Sequence, residues 1–262
     1  MIKRTGAYTI AFESRPVIAG WGSVVGKKEA EGPLKNYFDK IIYDSYDGCD
    51  TFEQAESMFQ GEALEKALER SKTHANEVDC VFAGDLLNQC IGSSFGLMKF
   101  GIPYLGQYGA CSTMAQSLIM AASAVESGGA KVSACVTSSH FASAERQYRF
   151  PLAYGGQRTP TAQWTATAAG AAVLGSEPVP NGAEPCDVRV THVLFGKMVE
   201  MGVKDAANMG AAMAPEDVNL DPYIFRCAER CVLQKIRYYQ NHSLAFPLER
   251  TETENRQSPL IP

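Results

Sequence analysis

Short apolar runs alternate with longer stretches in which apolar residues recur every three or four positions, the pattern of strands alternating with amphipathic helices. Pro16–Gly26 reads as a first strand punctuated by glycines. Residues 27–50 are polar and turn-rich, as a surface excursion would be. Asp50-Thr51-Phe52-Glu53 resembles a capping box, and behind it Ala55, Met58, Phe59, Ala63, Ala67 and Leu68 fall near helical spacing. Val78–Gly84 is a short strand ending in a glycine turn, and Ile91–Phe100 is a helix with Gly101 as its stop.

A strand follows near Tyr104, then a helix after Cys111 that buries Met114, Leu118, Ile119, Ala122 and Val125 and ends at Gly128-Gly129. Lys131–Thr137 reads as a buried strand. Ala168–Leu174 reads as another, with small residues for close packing. Strands alternating with helices predict an α/β fold with a largely parallel sheet. Pro178–Pro185 has the composition of a linker, and Val188–Leu194 is a strand that opens a second unit. Beyond Glu216 the pattern weakens. Asp221–Gln240 reads as one helix, and 241–262 is polar, with Pro247, Pro259 and Pro262. The division expected is therefore a first half over 1–177, a linker over 178–187, a partial second half over 188–240 and a poorly ordered tail over 241–262.

Composition narrows the function classes. The chain has 262 residues, is 45% hydrophobic and carries a formal charge of −5. It has a core to build and no basic footprint, so nucleic acid is not an expected partner. No apolar run is long enough to span a bilayer. Met1–Gly6 is positively charged with no apolar signal core behind it, so neither a signal peptide nor a transmembrane segment is expected. The eight cysteines include no Cys-x-x-Cys pair, which predicts reduced thiols. Cys80 and Cys135 lie in apolar runs and read as core residues. Cys227 and Cys231, with His242, make a poor zinc set, so no metal and no cofactor are expected.

The richest segment is Pro103–Leu118, a strand, a tight turn holding Cys111 and the start of a helix. A thiol at a helix N-terminus has its thiolate favoured by exposed N–H groups and the helix dipole. Condensing enzymes of the thiolase type use such a cysteine as nucleophile. Attack on a thioester also needs a base and an oxyanion hole. Of the four histidines, His74 reads as a surface residue at a helix end, His192 as packed in a strand and His242 as part of the tail. His140 follows a buried strand end, where α/β sheets gather ligand groups, and is a candidate to line a pocket.

Several motifs carry a resemblance to a known family. They are Gly84-Asp85-Leu86-Leu87-Asn88-Gln89, Tyr108-Gly109-Ala110-Cys111-Ser112-Thr113, Thr137-Ser138-Ser139-His140-Phe141, the stretch from Ala144 to Pro151, that from Arg158 to Thr165, and that from Met201 to Pro215. Together, over roughly residues 15–215, they resemble the stage V sporulation protein AD family. The resemblance implies a thiolase-like layered αβαβα fold, with the N-terminal half complete and the C-terminal half incomplete. After Pro215 no Gly-His-Pro or Cys-x-Gly signature of a thiolase catalytic half follows, the change expected of a truncated or frame-shifted reading, with lineage-specific divergence as the alternative.

The resemblance further implies a non-catalytic protein that binds dipicolinic acid (pyridine-2,6-dicarboxylate) and supports its uptake into the developing spore. The expected ligand is dipicolinic acid or its calcium chelate. A homodimer formed around the Gly84–Gln89 loop is implied, as are membrane-protein partners of the same sporulation transport complex. The implied place is the forespore or spore, peripheral to the inner membrane. The alternative is an acyltransferase of the thiolase or ketoacyl-synthase kind, with Cys111 as nucleophile and His140 or His192 as base.

A planar aromatic dianion needs cations or N–H donors, a flat wall and exclusion of water. Arg146, Arg149 and Arg158 are candidate cations, Trp164 the wall and Gln163 a polar contact. Tyr108 and Cys111 would form the floor beside His140. Asp85 and Gln89, on the loop that crosses the dimer, suit an interface or the ligand equally.

Overall fold

The chain begins with a hairpin that its apolar pattern does not reveal. Strand β1 (Ile2–Arg4) pairs antiparallel with β2 (Thr9–Phe12), Lys3 opposite Ala11. The computed structural model describes residues 2–148 (145–148 as backbone), 165–176 and 188–196, all within the first of two units, Met1–Met209. The expected linker, the helix over 221–240 and the tail lie outside the described residues.

Alternating strands and helices follow in the expected order. They are β3 (Val17–Gly26), β4 (Lys40–Ile42), α1 (Phe52–Ser71), β5 (Cys80–Gly84), α2 (Ile91–Leu97), β6 (Tyr104–Gly106), α3 (Thr113–Glu126), β7 (Val132–Ser139), α4 (Phe141–Tyr148), β8 (Ala168–Gly175) and β9 (His192–Leu194). Six of the strands form one sheet in the order β4-β3-β8-β7-β5-β6. Within it β8 alone is antiparallel to its neighbours, so the sheet is largely parallel, as predicted.

Period-two alternation splits the strand residues between two cores. Val81, Ala83, Ala134, Val136, Ala171 and Val173 face α1, where Phe59, Ala63, Leu64 and Ala67 meet them. Phe82, Cys135, Ala172 and Leu174 face the other way, onto Ala121, Ala122 and Val125 of α3. The result is a helix–sheet–helix sandwich. Phe59 and Leu64 are fully buried, each contributing about 1.5–3 kcal/mol by removal from water. Helix α1 lies unusually close to β3: a Cβ on Gly22 would sit 2.1 Å from the Ala63 carbonyl oxygen. Cys135 is buried as expected. Cys80, by contrast, is only partly buried, because it starts its strand at the sheet's end.

Several expectations shift. The capping box of α1 is one residue further on: Thr51 Oγ1 accepts from Gln54 N (3.2 Å), and Gln54 Oε1 accepts from Thr51 N (3.1 Å). The polar excursion over 27–50 returns to the sheet as β4, parallel to β3. It reads as loop because β4 is an edge strand burying only Ile42. The 188–194 strand, expected to open a second half, belongs to the first unit: β9 pairs antiparallel with β2, and Val193 packs in the same core as Phe12. A three-residue strand whose partner is the unforeseen N-terminal hairpin gives no local sign of where it pairs.

Among the described residues no helix is long and apolar enough to cross a membrane.

Candidate functional site

Five strands run one way, so their carboxyl ends meet at one edge of the sheet, where α/β folds place ligand sites. The register brings Gly26 beside Ile42, Ala168 beside Val25 and Ser139, Gly84 beside Thr137, and Gly106 beside Ala83.

At the β4–β3–β8 side of that edge lies a cavity of about 290 Å³. Its apolar walls are Phe59, Phe141 and Ile42, and Ser45, Thr165 and Thr167 add hydroxyls. Lys27 and Lys28 stand beside Glu29, Glu31 and Asp44. Thr167 organises the edge: its carbonyl accepts from Gly26 N (2.7 Å), its N–H donates to Glu29 Oε1 (3.1 Å), and its Oγ1 accepts from Phe141 N (3.1 Å). Glu29 Oε2 is buried and has no hydrogen-bond partner among the described residues.

His140 stands behind this wall rather than on it. The side chain is fully buried and stacks on Phe52 and Phe141, with ring centroids 5.1 and 5.0 Å away. Its Nε2 bonds the Ser45 carbonyl oxygen (2.9 Å), and Ala142 N donates to Nδ1 (3.2 Å). A carbonyl only accepts and an amide N–H only donates, so these partners assign the neutral Nε2–H tautomer. His140 therefore positions Ser45 and Phe141, which do line the cavity.

Deeper still runs a polar chain that sequence reasoning missed. Gln60 Nε2 donates to Ser138 Oγ (2.7 Å) and Ser93 Oγ (2.8 Å). Ser138 donates to Glu56 Oε1 (2.8 Å), Ser143 donates to Glu56 Oε2 (2.7 Å), and Ser93 donates to Asp85 Oδ2 (2.6 Å). All six residues are buried, Glu56, Gln60, Ser93 and Asp85 completely. Burial pushes the Glu56 carboxyl up to about 7; the charges of Asp85 and Glu53 add to the rise, and the hydrogen bonds from Ser143 and Ser138 oppose it. The available signal was position: Glu56 and Gln60 are i,i+4 on the stripe that α1 buries, in line with Leu64.

Asp85, a candidate for ligand or interface, is held by hydrogen bonds around its own loop. It accepts from Leu87 N (2.8 Å), Ser93 N (2.7 Å) and Ser93 Oγ, which leaves it buried inside its own loop. Gln89 is exposed with φ 59°, beside Cys90 at φ 52°, a strained pair for residues with side chains.

Cys111 lies in a 3-10 turn, Ala110–Ser112, ahead of α3, and is exposed. Ser112 Oγ donates to Gly109 O (2.7 Å) and Thr113 Oγ1 to Ala110 O (2.8 Å), which fixes the turn. Gly84 is required beneath it: a Cβ there would sit 1.9 Å from the Gln107 carbonyl oxygen. Tyr108 is 53% exposed, so Tyr108 and Cys111 do not form the floor of the cavity described above. Arg146 is on α4, described as backbone. Arg149, Arg158, Gln163 and Trp164 lie outside the described residues. His192 is on β9, in the small sheet. Among the described residues no group of three or more His, Cys, Asp or Glu is placed to hold a metal ion.

Comparison with known proteins adds the family. The profile described as Stage V sporulation protein AD (SpoVAD) matches residues 6–228. The protein of that name from Bacillus subtilis (strain 168) is 36% identical over 214 residues, 82% of this chain and 61% of its own length. This chain thus spans about three-fifths of that relative. Among solved structures, it is similar to 3-oxoacyl-[acyl-carrier-protein] synthase III from Aquifex aeolicus VF5, with a TM-score of 0.44 and 16% identity, covering 61% of this chain and 53% of that one. It is also similar to a variant of OleA from Xanthomonas campestris, with a TM-score of 0.42 and 14% identity, covering 63% and 57%. The match over residues 6–228 takes in the Gly84–Gln89 loop, the Cys111 turn and the His140 segment, and the chain belongs to the stage V sporulation protein AD family of sporulation proteins.

Proposed function

We propose that this chain is a non-catalytic binder of dipicolinic acid and supports its uptake into the developing spore. The observation that carries the reading is the cavity between Phe59 and Phe141 at the carboxyl edge of the sheet. A flat aromatic ring fits an aromatic and aliphatic wall, and Lys27, Lys28 and the hydroxyls of Ser45, Thr165 and Thr167 suit its carboxylates. The carboxylates of Glu29, Glu31 and Asp44 outnumber the two ammonium groups, which favours the neutral calcium chelate over the free dianion. A binder is also supported by His140, whose two ring nitrogens are taken by backbone groups and do not serve Cys111 as a base.

The chain acts as a homodimer paired through β6, with membrane proteins of the same transport complex as partners, at the inner membrane of the forespore. Support for the dimer is the sheet edge: Val81 N bonds Pro103 O and Gln107 N bonds Ala83 O, so by alternation Tyr104 and Gly106 turn their main chain outward. All three residues of β6 are exposed, and a two-fold axis at Leu105 would pair two such edges.

Calorimetric titration with dipicolinate, with and without equimolar calcium, tests the binding. Saturable binding that tightens with calcium is expected; no heat under either condition would overturn the reading. One observation favours a second reading, acyl transfer: Ala110, immediately before the exposed Cys111, has φ 50°, the kind of strain found at nucleophile turns. A thioester substrate would then leave an acyl group on Cys111, visible as an added mass, whereas a binder leaves none.

A further inference from the structure

We propose that Glu56 is a buried proton-binding site behind the wall of the cavity, which takes up its proton on Oε2 and passes the change through Ser143 to the His140 carbonyl. Two carboxylates, Glu56 and Asp85, sit on one buried hydrogen-bond chain joined by Ser138, Gln60 and Ser93. The described charged and titratable groups facing Glu56 are Glu53 from its own helix, Asp85 from the loop after β5, and His140 from the end of β7, whose ring is turned to Ser45 and Ala142. None of these supplies a positive charge, and two buried like charges on one chain are costly.

The donors decide which carboxylate gives way. Asp85 accepts from two main-chain N–H groups and one hydroxyl. An N–H cannot reverse, so the main-chain donors to Asp85 are fixed. Among the described residues Glu56 accepts only from hydroxyls, and a hydroxyl can turn. Ser143 Oγ lies 2.7 Å from Glu56 Oε2 and 3.3 Å from the His140 carbonyl oxygen, so its hydrogen has two acceptors within reach.

The protonated state is therefore already accommodated. One proton comes from solvent to Oε2, which donates to Ser143 Oγ. The Ser143 hydrogen turns to the His140 carbonyl, and Ser138 continues to donate to Oε1. No polar group is orphaned by the exchange. The same carbonyl accepts Ala144 N (3.0 Å) in the first turn of α4, next to Phe141 on the cavity. The proton on Glu56 thus bears on the turn that carries the aromatic wall. Burial as the leading cause of a carboxyl raised to about 7 agrees with this geometry.

The test needs no ligand. Carbon-13 NMR of the full chain labelled at glutamate carboxyls is followed from pH 4 to 9, with Glu56→Gln assigning the resonance. One glutamate titrating near neutrality is expected, lost in that variant and moved upward in Ser143→Ala, which removes a donor to the ionised form. If Glu56→Gln does not fold, the upward movement in Ser143→Ala makes the assignment. Glutamates that all titrate below pH 5, or a neutral titration unmoved by Ser143→Ala, would overturn the proposal.

Discussion

The imidazole of His140 and the carbonyl of Ser45, 95 positions apart in the chain, meet at 2.9 Å in the interior. That bond ties the polar excursion after β3 to the end of β7 and closes one side of the cavity. His140→Ala is expected to cost about 2–4 kcal/mol in urea unfolding, from the lost ring packing and the orphaned carbonyl. His140→Phe keeps an aromatic ring for the stack and loses only the hydrogen bonds, for about 1–3 kcal/mol. Wild-type stability in both would mean the ring does not support the wall.

Two glycines in strands separate close approach from mere permissiveness. At Gly84 an added Cβ meets the Gln107 carbonyl oxygen at 1.9 Å, whereas at Gly170 it meets nothing within 4 Å. Gly84→Ala is expected to destabilise by at least about 2 kcal/mol and to disturb the Cys111 turn. Gly170→Ala should be neutral or stabilising by up to about 1 kcal/mol, since glycine in a strand gives up more chain entropy. Urea midpoints of the two variants measure the contrast.

Asp39, just before β4, provides a pH-dependent contact to α1. Burial pushes its carboxyl up, but hydrogen bonds from Arg70 and from the Ser23 N–H and Oγ outweigh this and hold it below its ordinary value of 3.8. Arg70 Nη2 lies 2.5 Å from Asp39 Oδ1. A depressed carboxylate adds stability above its unfolded pKa and loses it as pH falls through the folded one. Arg70→Ala should therefore cost roughly 1 kcal/mol at pH 7, with the difference from wild type shrinking below pH 3.8. A difference constant down to pH 2.5 would show that Arg70 acts through its packing on Trp21, whose ring centroid is 4.5 Å away.

Leu105 is 44% exposed at the centre of the open edge strand. Leu105→Lys places like charges opposite one another across the proposed two-fold axis. Light scattering after gel filtration should find a dimer for the wild type and a monomer for the variant. A wild type that is monomeric at tens of micromolar would count against pairing through β6.

Long periodic elements were legible in the sequence. Helix α1 and strands β3, β5, β7 and β8 all form where their apolar spacing placed them, because each buries its own side chains against a neighbouring layer. Several short elements were not. β1, β2 and β4 hold three or four residues each, and what stabilises them is pairing with distant partners; β9 was legible as a strand but not in its pairing with β2. His140 was legible in place rather than in role. The carboxyl edge was expected from the strand pattern, and His140 does stand there. That it supports Ser45, while Glu56 and Gln60 form the buried chain, depends on contacts 33 to 95 residues apart. Asp85 illustrates the same limit, since its partners Leu87 and Ser93 are set by the fold of its own loop.

The most direct measurement is the melting temperature of the wild type, Phe141→Ala and Cys111→Ala, each with and without millimolar calcium dipicolinate. A binder with its site at the β3–β4–β8 edge should show equal ligand stabilisation in the wild type and Cys111→Ala, and none in Phe141→Ala relative to its own unliganded melt. Stabilisation kept in Phe141→Ala, or lost only in Cys111→Ala, would contradict the cavity as the site and move it to the cysteine turn.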